Sequence, residues 1–89
     1  MPEVTLEIRN KVGLHARPAA LFVQAASRFK CDIVVRKGGS TANAKSILEV
    51  LTLGAGGGSV VTIAAEGEEA EPALQALAQL LARNFGEAE

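Results

Sequence analysis

Tryptophan and tyrosine are absent from this 89-residue chain, phenylalanine occurs three times, and cysteine and histidine once each. With so few rings, the core has to be assembled from Val, Ile, Leu and Ala, and the expected strands carry no aromatics on which nucleobases could stack. A single cysteine, Cys31, excludes an intramolecular disulfide and leaves no thiolate partner for a metal cluster, so it reads as a buried strand residue. An excess of positive charge is also missing. Nine basic residues stand against ten acidic ones, for a net charge of −1, which removes the electrostatic footprint that nucleic-acid binding requires. No apolar run approaches the length of a membrane span, and Met1-Pro2-Glu3 lacks the basic start of a signal peptide. The expectation is a cytoplasmic protein with no nucleic-acid or membrane partner and no bound metal or cofactor.

A chain of 89 residues lies near the small end of what folds alone, so residues 1–89 are read as one domain. Val4, Leu6 and Ile8 alternate with Glu3, Thr5, Glu7 and Arg9, the period-two pattern of a strand with one buried face. After a loop over residues 10–14, Ala19, Phe22, Val23, Ala26 and Phe29 recur at helical spacing while Arg17, Gln24 and Arg28 fall elsewhere on the cylinder. Residues 31–37 are β-branched at their centre and close on Gly38-Gly39-Ser40, a hairpin turn needing positive φ, with 41–44 as the partner strand. Ser46-Ile47-Leu48-Glu49 fits a capping box: the Ser46 hydroxyl accepts from the Glu49 amide while the Glu49 carboxylate reaches back, and a short helix follows over 47–53.

The glycine-rich segment 54–58 follows a helix and precedes a strand, the reverse of a phosphate-cradling loop, and is read as helix termination plus a link. Residues 60–65 form the last strand. Glu68, Glu69, Glu71 and Pro72 then mark the start of a final helix whose stripe is Leu74, Leu77, Leu80 and Leu81, with Phe85 as an extension. The order βαββαβα predicts an α+β fold, a four-stranded antiparallel sheet with three helices on one face. The other face would show Thr5, Glu7, Arg9 and Thr62 to water.

The one histidine, His15, lies in Gly13-Leu14-His15-Ala16-Arg17-Pro18-Ala19-Ala20, where the first helical pattern begins. A helix start offers unpaired backbone amides, here those of Ala16 and Arg17, and the positive end of the helix dipole. An imidazole at that point can take a phosphoryl group on a ring nitrogen while Arg17 and the amides compensate its charge. Pro18 fits the first turn, where its missing N–H removes no intrahelical bond. A lone surface histidine is usually inert; the glycine, arginine and proline around this one favour chemistry. Phosphoryl transfer asks for alignment and charge compensation, and no carboxylate close in sequence is placed to activate a water. The nucleophile is the neutral imidazole, whose reference pKa is about 6.5; the helix start and Arg17 both disfavour its protonated form.

The stretch around His15, together with Ala44-Lys45-Ser46, Leu53-Gly54 and Val60-Val61-Thr62-Ile63-Ala64-Ala65-Glu66-Gly67, resembles the HPr family, the histidine-containing phosphocarriers of the bacterial phosphoenolpyruvate-dependent sugar phosphotransferase system. The resemblance covers essentially the whole chain. It implies an open-faced β-sandwich, phosphorylation of His15 by enzyme I, transfer to sugar-specific enzyme IIA domains, and Arg17 as the phosphate-stabilising partner. Such a carrier is a stoichiometric intermediate rather than an enzyme, and transient docking suits a monomer. The resemblance also implies Ser46 as a regulatory phosphorylation site, with an HPr kinase/phosphorylase and a transcription factor as further partners, and Ala20, Gln24, Ser27, Ile47, Leu48 and Leu51 as the docking surface.

Two departures from the family stand out. Relatives often carry Lys or Arg where this chain has Gln24 and Ser27, leaving Arg17, Arg28 and Lys45 as the basic groups, so docking leans on Leu48 and Leu51. Many also have a small or basic residue in place of Glu49, whose carboxylate would oppose a phosphate on Ser46. A nitrogen-type regulatory carrier, suggested by Asn10-Lys11-Val12-Gly13, and a binding protein that works only through Ser46 are the competing readings.

Overall fold

The computed structural model describes residues 2–8 and 16–83. Among them the order is β1 (Glu3–Glu7), α1 (Ala16–Ser27), β2 (Asp32–Lys37), β3 (Ser40–Asn43), α2 (Ile47–Thr52), β4 (Val60–Glu66) and α3 (Ala70–Ala82). The strands form one antiparallel sheet in the order β1-β4-β2-β3, so β4 and β2 are central and β1 and β3 are edges.

The register explains which side chains are buried. Val4 lies opposite Ile63 and Leu6 opposite Val61; Val35 lies between Ile63 and Ala42, and Ile33 opposite Ala65. Because side chains alternate along a strand, all of these share one face. They join Ala19, Phe22 and Ala26 of α1, Val50 of α2, and Ala73, Leu74, Leu77 and Leu81 of α3 in a single apolar cluster. The opposite face carries the ladder Thr5, Thr62, Arg36 and Thr41. On it Thr5 and Thr62 share a hydroxyl hydrogen bond of 2.9 Å, and Arg36 reaches Glu3 at 2.9 Å in a diagonal ion pair across β4. The fold is therefore the four-stranded antiparallel sheet with helices on one face expected from the pattern, and the open-faced sandwich that the family resemblance implies. Arg9 and Phe85 lie outside the described residues.

Local differences have physical reasons. The second hairpin strand starts at Ser40 and ends at Asn43, because the turn uses only Gly38 and Gly39. Of these two, only Gly38 has positive φ, at 59°, the pattern of a II′ turn with glycine at its first central position. Cys31 is half-buried and precedes β2 instead of lying within it, a correction to its reading as a buried strand residue. It sits under the backbone of Gly67, whose φ is +129°. A Cβ at Gly67 would stand 3.1 Å from Cys31 Cβ and 3.2 Å from its Cα. Gly67→Ala is therefore expected to lower stability by about 1–3 kcal/mol through combined backbone strain and contact, measured by urea denaturation. An unchanged midpoint would contradict it.

Candidate functional site

α1 begins at Ala16, the residue after His15 in the chain. His15 itself lies outside the described residues, as does the loop over 9–14. Ala16 and Arg17 are the first two helical residues, so their amides have no carbonyl four residues back within the helix. Pro18, the third, is buried, and Ala19 beside it is fully so. This anchors the first turn to the core while Arg17 is exposed on the opposite side.

From Arg17 the docking candidates run along one stripe of α1. Ala20 is half-buried, and Gln24 and Ser27 are exposed; steps of three and four residues keep all of them on one side. Ten residues of helix make that stripe about 15 Å long. α2 packs against α1 and presents Leu48, 74% exposed, and Ile47, 39% exposed. Leu51 behaves differently: it is half-buried and packed on the core, so of the two leucines expected to dock partners only Leu48 stands clear. Arg28 is exposed, whereas Lys45 is committed elsewhere, its Nζ donating to the Phe29 carbonyl at 2.7 Å. Lys45 ties the exit of α1 to the loop before α2, a role its sequence position does not disclose.

Ser46 caps α2. It has extended φ and ψ of −112° and 113°, and its Oγ accepts from the Glu49 amide at 3.3 Å. The reciprocal half of the capping box is not made. Glu49 Oε1 instead accepts from the Asn43 amide at 2.8 Å, while the Ser46 amide donates to the Asn43 carbonyl at 3.0 Å. The reason lies in the sheet: in the antiparallel ladder, Asn43 points its backbone groups away from β2, toward α2, and a carboxylate one turn into the helix is within reach. Ser46→Ala is expected to cost about 1 kcal/mol, read as a shifted urea midpoint. A loss above about 2 kcal/mol, the upper end for a cap, would show that Ser46 does more than cap.

Between β3 and α2 lies an open cleft of about 420 Å³ lined by Ser40, Thr41, Leu48, Glu49, Thr52 and Leu53. Thr52 Oγ1 is turned to the Leu48 carbonyl, 2.6 Å away. Among the described residues no group of three or more His, Cys, Asp or Glu side chains could hold a metal ion, and no helix is long and apolar enough to cross a membrane.

Residues 2–83 match the family model described as the PTS HPr component phosphorylation site. The chain belongs to the HPr family. It is 47% identical over 81 residues to the phosphocarrier protein HPr of Vibrio cholerae, covering 91% of this chain and 95% of that one. The crystal structure of HPr-C-His from Thermoanaerobacter tengcongensis superposes with a TM-score of 0.98 at 53% identity over the full length of both chains. Crh, the catabolite repression containing protein of Bacillus subtilis, has a crystal structure described as a dimer with a swapped domain. It aligns with a TM-score of 0.75 at 44% identity, covering 94% of this chain and 97% of that one. HPr proteins are phosphocarriers of the phosphotransferase system.

Proposed function

We propose that this HPr-family chain is a stoichiometric carrier in sugar uptake that accepts a phosphoryl group on His15 from phosphorylated enzyme I and passes it to sugar-specific enzyme IIA domains. The observation that supports this reading most is the start of α1 at Ala16, directly after the histidine in sequence. That start brings two first-turn amides and the Arg17 side chain to the same end of the helix. A dianionic phosphoryl group needs donors aimed at its oxygens, which this end of α1 supplies, and the first turn of α1 carries no acidic residue to activate water. The attacking ring nitrogen forms the N–P bond as the bond to enzyme I breaks. The reverse exchange delivers the group onward.

Docking uses the α1 stripe of Ala20, Gln24 and Ser27 with Ile47 and Leu48 of α2. A partly apolar patch beside the phosphoryl site suits transient association of a cytoplasmic monomer with several partners, since exposed clustered apolar side chains mark interaction surfaces. Ser46 serves as a regulatory phosphorylation site for an HPr kinase/phosphorylase, with a transcription factor as the reader. The added charge of about −1.5 to −2 would stand next to Leu48 and alter that patch. The similarity to Crh favours a second reading, in which Ser46 alone carries the function. Incubation with enzyme I, phosphoenolpyruvate and an enzyme IIA domain separates the two. The carrier reading expects label to pass through this chain to the IIA domain, and the Crh-like reading expects none to arrive.

A further inference from the structure

Ser46, Glu49 and Asn43 form a closed ring of contacts where β3 meets α2. The Ser46 amide donates to the Asn43 carbonyl at 3.0 Å, the Glu49 amide donates to Ser46 Oγ at 3.3 Å, and Glu49 Oε1 accepts from the Asn43 amide at 2.8 Å. Only the last is made by a charged group. That contact is exposed, so water can take over both of its ends at little cost. Among the described residues the ion pair is Arg36 with Glu3, and Glu49 takes part in none. Lys45, next to Ser46 in the chain, is engaged elsewhere, with its Nζ on the Phe29 carbonyl at 2.7 Å.

We propose that the Glu49 carboxylate is a latch between α2 and the edge of β3 that opens when Ser46 is phosphorylated. The proposal rests on the reading of Ser46 as a regulatory site and states what the modification does there. The kinase step moves the terminal phosphoryl group of a nucleoside triphosphate onto Ser46 Oγ: the Oγ–P bond forms, the bond to the diphosphate breaks, and the hydroxyl proton leaves. A charge of about −1.5 to −2 then stands on an oxygen in the same turn as Glu49, and covalent reach keeps the two anions within about 10 Å, the Debye length at 0.1 M salt. Like charges at that distance repel with little screening. The phosphate is fixed covalently at the cap, whereas the carboxylate is held by one exposed contact, so the carboxylate moves. The Ser46 amide keeps the Asn43 carbonyl, and α2 stays docked while the Asn43 amide is freed. Glu49 also lines the cleft between β3 and α2. A partner that reads the modified chain therefore meets a released carboxylate and a free edge amide beside the phosphate.

The test installs phosphoserine at position 46 by genetic encoding, in the wild-type chain and in Glu49→Gln, whose neutral side chain can keep the bond to Asn43. Amide NMR and hydrogen exchange compare each protein with its unmodified form. Phosphorylation is expected to speed exchange of the Asn43 amide by about tenfold or more in the wild type and by less than about threefold in Glu49→Gln. Salt at about 1 M should shrink the difference. The amides of Val50 and Leu53, which donate to the Ser46 and Glu49 carbonyls, should keep their protection. An Asn43 amide equally protected with and without phosphate, equal opening in Glu49→Gln, loss of protection through Val50 and Leu53, or Lys45 leaving Phe29 for the phosphate while Asn43 stays protected would each overturn the proposal. Because the phosphate is placed without a kinase, a latch that stays shut leaves the reading of Ser46 intact. That reading fails separately, if HPr kinase/phosphorylase with ATP puts no label on Ser46, and the latch then loses its trigger.

Discussion

Arg17→Ala is expected to slow phosphoryl transfer from phosphorylated enzyme I by about 100-fold or more while changing stability by less than about 1 kcal/mol. The two effects separate because Arg17 is exposed in the first turn of α1 and is outside the buried cluster, yet it is a cation two residues along the chain from the proposed phosphoryl acceptor. A guanidinium matches phosphate with a planar fork of donors, whereas an ammonium offers a point charge. Arg17→Lys should therefore recover only part of the rate. Rapid-quench transfer assays with wild-type enzyme I, paired with urea denaturation of each variant, distinguish a lost contact from a loosened fold. Wild-type transfer by Arg17→Ala would remove Arg17 from the mechanism.

Phe22→Ala should destabilise the chain by about 3–5 kcal/mol, which rivals the whole stability of a domain this small. Phe22 is the largest of the fully buried side chains among the described residues, and the other fully buried ones there are aliphatic and too small to fill the space it vacates. It also holds α1 down on the sheet, so the same change loosens the helix that carries Arg17. The thermal midpoint is expected to drop by more than about 10 °C, and Phe22→Leu, which keeps most of the volume, to recover over half of that. A loss below about 1 kcal/mol would mean that the site collapses around the smaller residue and that α1 is held by other contacts.

Period-two alternation was enough to read which side of β1 faces the helices, because burial on one face of a sheet has to repeat every second residue. The stripe of Ala19, Phe22 and Ala26 was legible for the same reason at helical spacing, as were Leu74, Leu77 and Leu81. Ser46 as a cap could also be read, since the bond to the Glu49 amide is local. What escaped the sequence depends on contacts between segments distant in the chain or on where the chain turns. Glu49 finds Asn43 only because α2 lies along the outer edge of β3. Lys45 finds Phe29 only because the ends of two elements meet. Leu51 turns inward while Leu48 does not, although both lie in one six-residue helix, because the packing of α2 on α1 settles its roll. Of the proposed transfer site, the structure describes Arg17 and the start of α1, and His15 is proposed from sequence and family resemblance.

The most direct measurement is to incubate the chain with enzyme I and labelled phosphoenolpyruvate, then locate the label by peptide mapping after acid and alkaline treatment. The account predicts one acid-labile, alkali-stable phosphoryl group on the peptide containing His15, and none on a His15→Gln variant that remains folded. Label on any other residue, or undiminished labelling of the variant, would contradict it.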